Sequence, residues 1–103
     1  MKSPLPMTLE GALIPYAARY IWWEAPEQAV RRPLRVIAQV MDLGDFEDAN
    51  QLLAEVGRLA FREALGQAGP GWFNARSWHY WHYRLGLAEP GARVPPMPRR
   101  RIP

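Results

Sequence analysis

The 103-residue chain has no cysteine. That excludes a disulfide framework, a thiol nucleophile and any cysteine-ligated zinc or iron–sulfur centre. Serine is scarce: Ser3 and Ser77 are the only two, and neither sits in a Gly-x-Ser-x-Gly elbow. The two histidines, His79 and His82, stand three residues apart with no HExxH-type pattern to supply a third ligand, so they read as packing residues. Neither a GxxxxGK[ST] nor a GxGxxG phosphate loop occurs. No segment alternates with the period of a strand. The longest apolar stretch, Ala12 to Trp23, contains Pro15 and Arg19 and is too short to span a bilayer. Residues 1–6 carry two prolines and do not form a signal peptide's apolar region. Together these absences predict a cytoplasmic, non-catalytic protein with no cofactor, no metal and no membrane attachment.

What is present fits one helical domain. Hydrophobic residues at 49% and charged residues at 22% are near globular values, which argues against wholesale disorder. Five Trp, four Tyr and three Phe give a small core a large aromatic content. The formal charge is +3, but residues 7–87 hold eight basic and nine acidic side chains. The excess therefore sits at the ends, in Lys2 and in Arg93, Arg99, Arg100 and Arg101. A near-neutral body offers nucleic acid little counterion release, so any such binding is expected through the basic tail.

Helix signals run along the chain. Thr8 can start a first helix, which Pro15 is expected to interrupt, leaving Tyr16 to Trp23 as a short aromatic helix. Pro33 opens the next, and Leu34 to Leu43 carries an apolar stripe of Leu34, Ile37, Ala38 and Met41 widened by Val36 and Val40. Gly44 stops it and Asp45 caps a helix from Phe46 to Val56. In that helix Phe46, Ala49, Leu52, Leu53 and Val56 face inward. Gly57 separates it from a short helix, Arg58 to Leu65. Asn74 caps the last helix, which Gly86 ends. The expected core contains Ile37, Met41, Leu53, Phe61, Trp78 and Trp81. The fold class is all-α: a compact bundle of about five short helices over residues 7–87, with residues 1–6 and a Pro/Arg-rich stretch, residues 88–103, as flexible or extended tails.

The last helix has an unusual outer side. Trp78, Trp81, His82 and Leu85 make its inner stripe, whereas Arg76, Tyr80, Tyr83 and Arg84 recur at i, i+4, i+7 and i+8 on the other. Arg and Tyr are enriched at recognition surfaces, where an ordinary surface helix shows Glu and Lys. These four residues either bind a partner or are covered by the aromatic run Tyr16 to Trp23. Asp42, Asp45, Glu47 and Asp48 crowd one junction, which capping and a solvated face explain better than paired-carboxylate chemistry. Ala49–Gly66 can be aligned with a helix-turn-helix placing Gly57 at the turn, but Leu53 and Glu63 stand where a small and a buried aliphatic residue belong. Pro95 to Arg100 fits a PxxPxR pattern, which is common in Pro/Arg-rich tails.

The order of landmarks resembles a small family of uncharacterised bacterial helical proteins often encoded beside abortive-infection toxins of the nucleotidyltransferase type. The landmarks are Tyr20-Ile21-Trp22-Trp23, Val36-Ile37-Ala38-Gln39-Val40-Met41, Gly44-Asp45-Phe46-Glu47-Asp48, Gly57, and Trp72-Phe73-Asn74-Ala75-Arg76-Ser77-Trp78 leading to Trp81, spanning residues 20–87. The resemblance implies an antitoxin-like role in binding another protein, and it carries no catalytic residues. The alternatives are a small DNA-binding regulator and a homo-oligomer whose Arg/Tyr helix forms its own interface.

Overall fold

A computed structural model describes residues 8–99. Those residues form six helices and no strand: α1 (Leu9–Tyr20), α2 (Pro26–Ala29), α3 (Pro33–Leu43), α4 (Phe46–Val56), α5 (Arg58–Gly66) and α6 (Ala75–Arg84). The all-α class is as expected. The count of about five is corrected by α2, a single turn started by Pro26, whose fixed φ suits a first helical position. The lead-in at residues 1–6 and the segment 100–103 lie outside the described residues. No helix among the described residues is long and apolar enough to cross a membrane.

α1 departs from the expected break at Pro15. It runs unbroken to Tyr20, with the Thr8 hydroxyl accepting from the Gly11 N–H at 3.0 Å as its N-cap. Pro15 lies beside Gly11 and Ala12 on an open cleft, and its ring leaves the Gly11 carbonyl without the N–H it would otherwise receive. The helix buries Leu13, Tyr16 and Ala17 and ends before the two tryptophans. Trp22 and Trp23 form no helix. They are 78% and 57% exposed and meet edge to face, with centroids 5.6 Å apart.

α3 is the centre of the domain, in contact with α1, α4, α5 and α6. Val36, Ile37, Ala38 and Val40 are fully buried, and Met41 nearly so. Gln39, the polar residue between Ala38 and Val40, is buried with them. It accepts from Arg35 at 3.1 Å and donates to the Tyr20 carbonyl at 3.4 Å, so its amide is satisfied at both ends. Gly44 ends α3 at a turn where any Cβ would run into the Val40 carbonyl oxygen. Asp45 then caps α4, accepting from the Asp48 N–H at 2.8 Å. Gly57 joins α4 to α5 with φ 88°, a left-handed value that favours glycine.

The inward face of α4 differs from the expectation at three positions. Ala49 and Leu52 are buried, but Leu53 and Val56 are only half-buried and Phe46 is 74% exposed. Phe46 is the first residue of its helix, just past the turn that ends α3, and its side chain lies at the surface. The rest of the expected core holds: Ile37, Met41, Phe61, Trp78 and Trp81 belong to one buried cluster.

Beyond α6 the chain turns through residues 85–92 and continues without regular structure to residue 99, and between Ala92 and Pro98 it packs on the domain. α6 ends in a Schellman-type turn: the Leu87 N–H reaches the His82 carbonyl at 2.9 Å, the Gly86 N–H reaches the Tyr83 carbonyl at 3.1 Å, and Gly86 has φ 72°. Arg58 and Arg62 of α5 both donate to the Leu85 carbonyl, at 3.0 and 2.7 Å, placing cations at the negative end of the helix. The strand-like segment that follows returns over α5 and α6. Val94 is buried, Met97 is half-buried against the core, and the Trp78 indole N–H donates to the Pro95 carbonyl at 2.7 Å.

Candidate functional site

α6 is held to the end of α3 by three hydrogen bonds. The Asp42 carboxylate accepts from the Asn74 N–H at 2.9 Å and from the Ser77 hydroxyl at 2.5 Å. Farther along, the Trp81 indole N–H donates to the Met41 carbonyl at 2.8 Å in a buried setting. Asn74 caps the helix itself, accepting from the Ser77 N–H at 2.9 Å. With Trp78, Trp81, His82 and Leu85 turned inward, the opposite side of α6 faces the turn between α3 and α4.

A groove of about 530 Å³ lies between them. Asp45, Phe46 and Ala49 form one wall, Arg76, Tyr80 and Arg84 the other, and Met41 and Trp81 close the bottom. Of the four residues singled out on the last helix, the groove brings three together. The fourth, Tyr83, turns away: its hydroxyl donates to the Ala92 carbonyl at 2.6 Å, so the returning segment takes it as a brace. The aromatic run Tyr16 to Trp23 does not cover this face, and none of its residues lines the groove.

The two arginines differ in their surroundings. Arg84 lies over the Trp81 ring, 5.1 Å from its centroid, donates to the Tyr80 hydroxyl at 3.0 Å and also donates to the Asn50 side chain. Arg76 makes no hydrogen bond or ion pair among the described residues. The ion pairs found there are Arg19–Asp48 and Arg32–Glu24, so neither groove arginine has a carboxylate partner. The nearby acids are already engaged, Asp42 on the α6 N-terminus and Asp45 on the α4 N-terminus. The groove therefore combines two guanidiniums that form no ion pair among the described residues with exposed aromatic surface from Tyr80, 46% exposed, and Phe46. Sequence reasoning placed Phe46 in the core. The one local clue to its exposure is its position directly after the Asp45 cap.

The other features noted in the sequence are accounted for by structure. Each histidine has its Nδ1 2.7 Å from the carbonyl four residues back, His79 on Ala75 and His82 on Trp78, and His82 is buried against the Trp78 ring. No group of three His, Asp or Glu able to hold a metal occurs among the described residues. The crowded acids separate into distinct jobs: Asp48 accepts from Arg19 and from the Tyr20 hydroxyl, both at 2.5 Å. Those bonds, the Tyr20 one foremost, hold its carboxyl below the usual value. In the helix-turn-helix alignment the turn proves to be the single residue Gly57, and the arginines of α5 are engaged at the Leu85 carbonyl. Comparison of the chain with protein-family models, with curated proteins and with solved structures finds no match.

Proposed function

We propose that this protein works by binding another protein, and that the groove between α6 and the α3–α4 turn is the contact surface. The observation that carries the reading is the pairing of exposed Phe46 and Tyr80 with Arg76 and Arg84, which have no carboxylate partner among the described residues. Such a surface suits a segment that presents an apolar anchor flanked by carboxylates. The anchor buries against the two rings, and the carboxylates gain charge-assisted hydrogen bonds from the guanidiniums. The resemblance over residues 20–87 adds a class of partner, a nucleotidyltransferase-like toxin toward which the chain acts as an antitoxin.

The test is capture of partners from the native host with the unaltered chain, Tyr80→Ala and Phe46→Ala as parallel baits. Both side chains are exposed, so the variants keep their melting temperature. A protein held by the unaltered chain and lost by both variants supports the reading. A partner retained equally by all three baits overturns it. So does capture of DNA that disappears as salt rises, because aromatic protein contacts are much less sensitive to salt than phosphate contacts.

A further inference from the structure

A second cleft lies between α1 and α4, on a different face of α4 from the groove above. Its volume is about 690 Å³, and Gly11, Pro15, Tyr16, Arg19, Asp48 and Glu55 are among the residues lining it. Tyr16 is only 7% exposed, and its hydroxyl is the one fully buried side-chain polar atom among the described residues without a hydrogen-bond partner. Burying a hydroxyl unpaired is costly, so natural structures seldom leave one that way unless something else completes it. Burial, reinforced by the Glu55 carboxylate, pushes the Tyr16 hydroxyl up to about 12, so it remains protonated at neutral pH. The Glu55 carboxylate lies beside it and raises it through charge and incipient hydrogen bonding, but not at ordinary hydrogen-bond distance; Glu55 accepts from Gln51 at 3.2 Å.

Two further oxygens share the cleft. Pro15 has no N–H, so the Gly11 carbonyl lacks the donor that an unbroken helix would give it. The Glu55 carboxylate has no cationic partner among the described residues, whereas Asp48 is neutralised by Arg19. The cleft thus holds one net negative charge and three oxygen acceptors: the Tyr16 hydroxyl, the Gly11 carbonyl and the Glu55 carboxylate. A primary ammonium carries one positive charge and three N–H donors. Ala12 and Pro15 add apolar surface along which an alkyl stem can lie.

We infer that the cleft between α1 and α4 is a binding site for an alkylammonium group, with the buried Tyr16 hydroxyl, the Glu55 carboxylate and the Gly11 carbonyl receiving the –NH3+ head. The Tyr16 hydroxyl accepts one of its hydrogens and gives its own to Glu55. The group is either a free amine or the side chain of a lysine on another protein.

The test is an amide NMR titration of the full chain with n-butylamine at neutral pH. Parallel titrations use n-butanol, a neutral probe of similar shape, and N-acetyl-lysine methylamide. Saturable shifts confined to residues 11–19 and 48–55 are expected with both amines and not with butanol. Tyr16→Phe should weaken amine binding about tenfold, the effect of one hydrogen bond to a charged group. It should leave the melting temperature unchanged or raised, because it deletes an unpaired buried hydroxyl. Glu55→Gln should weaken binding at least as much. Stronger binding of the lysine amide assigns the site to a partner's lysine, and stronger binding of butylamine to a small molecule. Absence of saturable shifts overturns the proposal, as do equal shifts with butanol or undiminished binding by Tyr16→Phe. A lowered melting temperature for Tyr16→Phe also overturns it, by showing that the hydroxyl already has a partner within the fold.

Discussion

Val94 gives the sharpest test of how the chain beyond α6 is held. In a loose tail this residue would contribute nothing to stability, yet here it is 8% exposed and belongs to the core cluster. Val94→Ala removes two carbon atoms from a buried site, worth about 0.8 kcal/mol each in transfer energy. The site is formed by a surface segment that can partly close over the gap, so the cavity contribution stays small. The expected cost is about 1–2 kcal/mol, which for a domain of this size lowers the melting temperature by roughly 4–8 °C per kcal/mol. Urea unfolding followed by far-UV circular dichroism measures it, with the neighbouring exposed Arg93→Ala as the control. Trp78→Phe should show coupling to Val94→Ala in a double-mutant cycle, because the indole hydrogen bond to Pro95 and the Val94 side chain secure the same segment. A loss below about 0.3 kcal/mol for Val94→Ala, indistinguishable from the Arg93 control, would refute the docking of this segment.

Other substitutions separate the elements in the same unfolding assay. Ile37→Ala, fully buried in α3, should cost about 2–5 kcal/mol, and Leu53→Ala, half-buried, clearly less. Asp42→Ala leaves the α6 N-terminus without its carboxylate and should cost about 1–3 kcal/mol, as expected for lost hydrogen bonds to a charged group. Acid unfolding should respond to Asp48. Its folded value lies below the unfolded 3.8, so its contribution is complete above that pH and lost as pH falls through the folded value; Asp48→Asn should flatten this part of the stability profile. Tyr16 acts in the opposite range: with a folded value of about 12 against 10 unfolded, the stability tied to its neutral form is present below pH 10 and lost between 10 and 12, and Tyr16→Phe should remove that alkaline loss.

The helix boundaries were legible because the chemistry that sets them is local. Thr8, Asp45 and Asn74 each cap through a side-chain oxygen three residues from the N–H it satisfies, and Gly57 and Gly86 adopt left-handed φ values. The inner stripe of α6 was legible for the same reason, since helical spacing alone places Trp78, Trp81, His82 and Leu85 together. The misread residues depend on which elements happen to pass nearby. Phe46 keeps helical spacing with Ala49 and Leu52, but its own side chain lies at the surface. Pro15 removes one hydrogen bond from α1 without ending the helix, at a position that lines a cleft. Val94 has no apolar periodicity around it, and a single residue cannot announce its own burial. In the candidate groove Arg76, Tyr80 and Arg84 were visible as a row. The diversion of Tyr83 to Ala92 was not, since it requires the chain to fold back nine residues later.

The central position of α3 has a consequence for the order in which the protein is made. α1 and α2 emerge from the ribosome before it, but α4, α5, α6 and the segment around Val94 all emerge after. While only the first half of the chain has been synthesised, Val36, Ile37, Val40 and Met41 have α1 on one side and nothing on the other. The packing of its most buried helix is thus complete only once α4, α5 and α6 have emerged, and incompletely packed chains aggregate or recruit chaperones. Pauses placed after α3 would lengthen that interval, and a partner available during synthesis would meet an unfinished domain rather than a folded one.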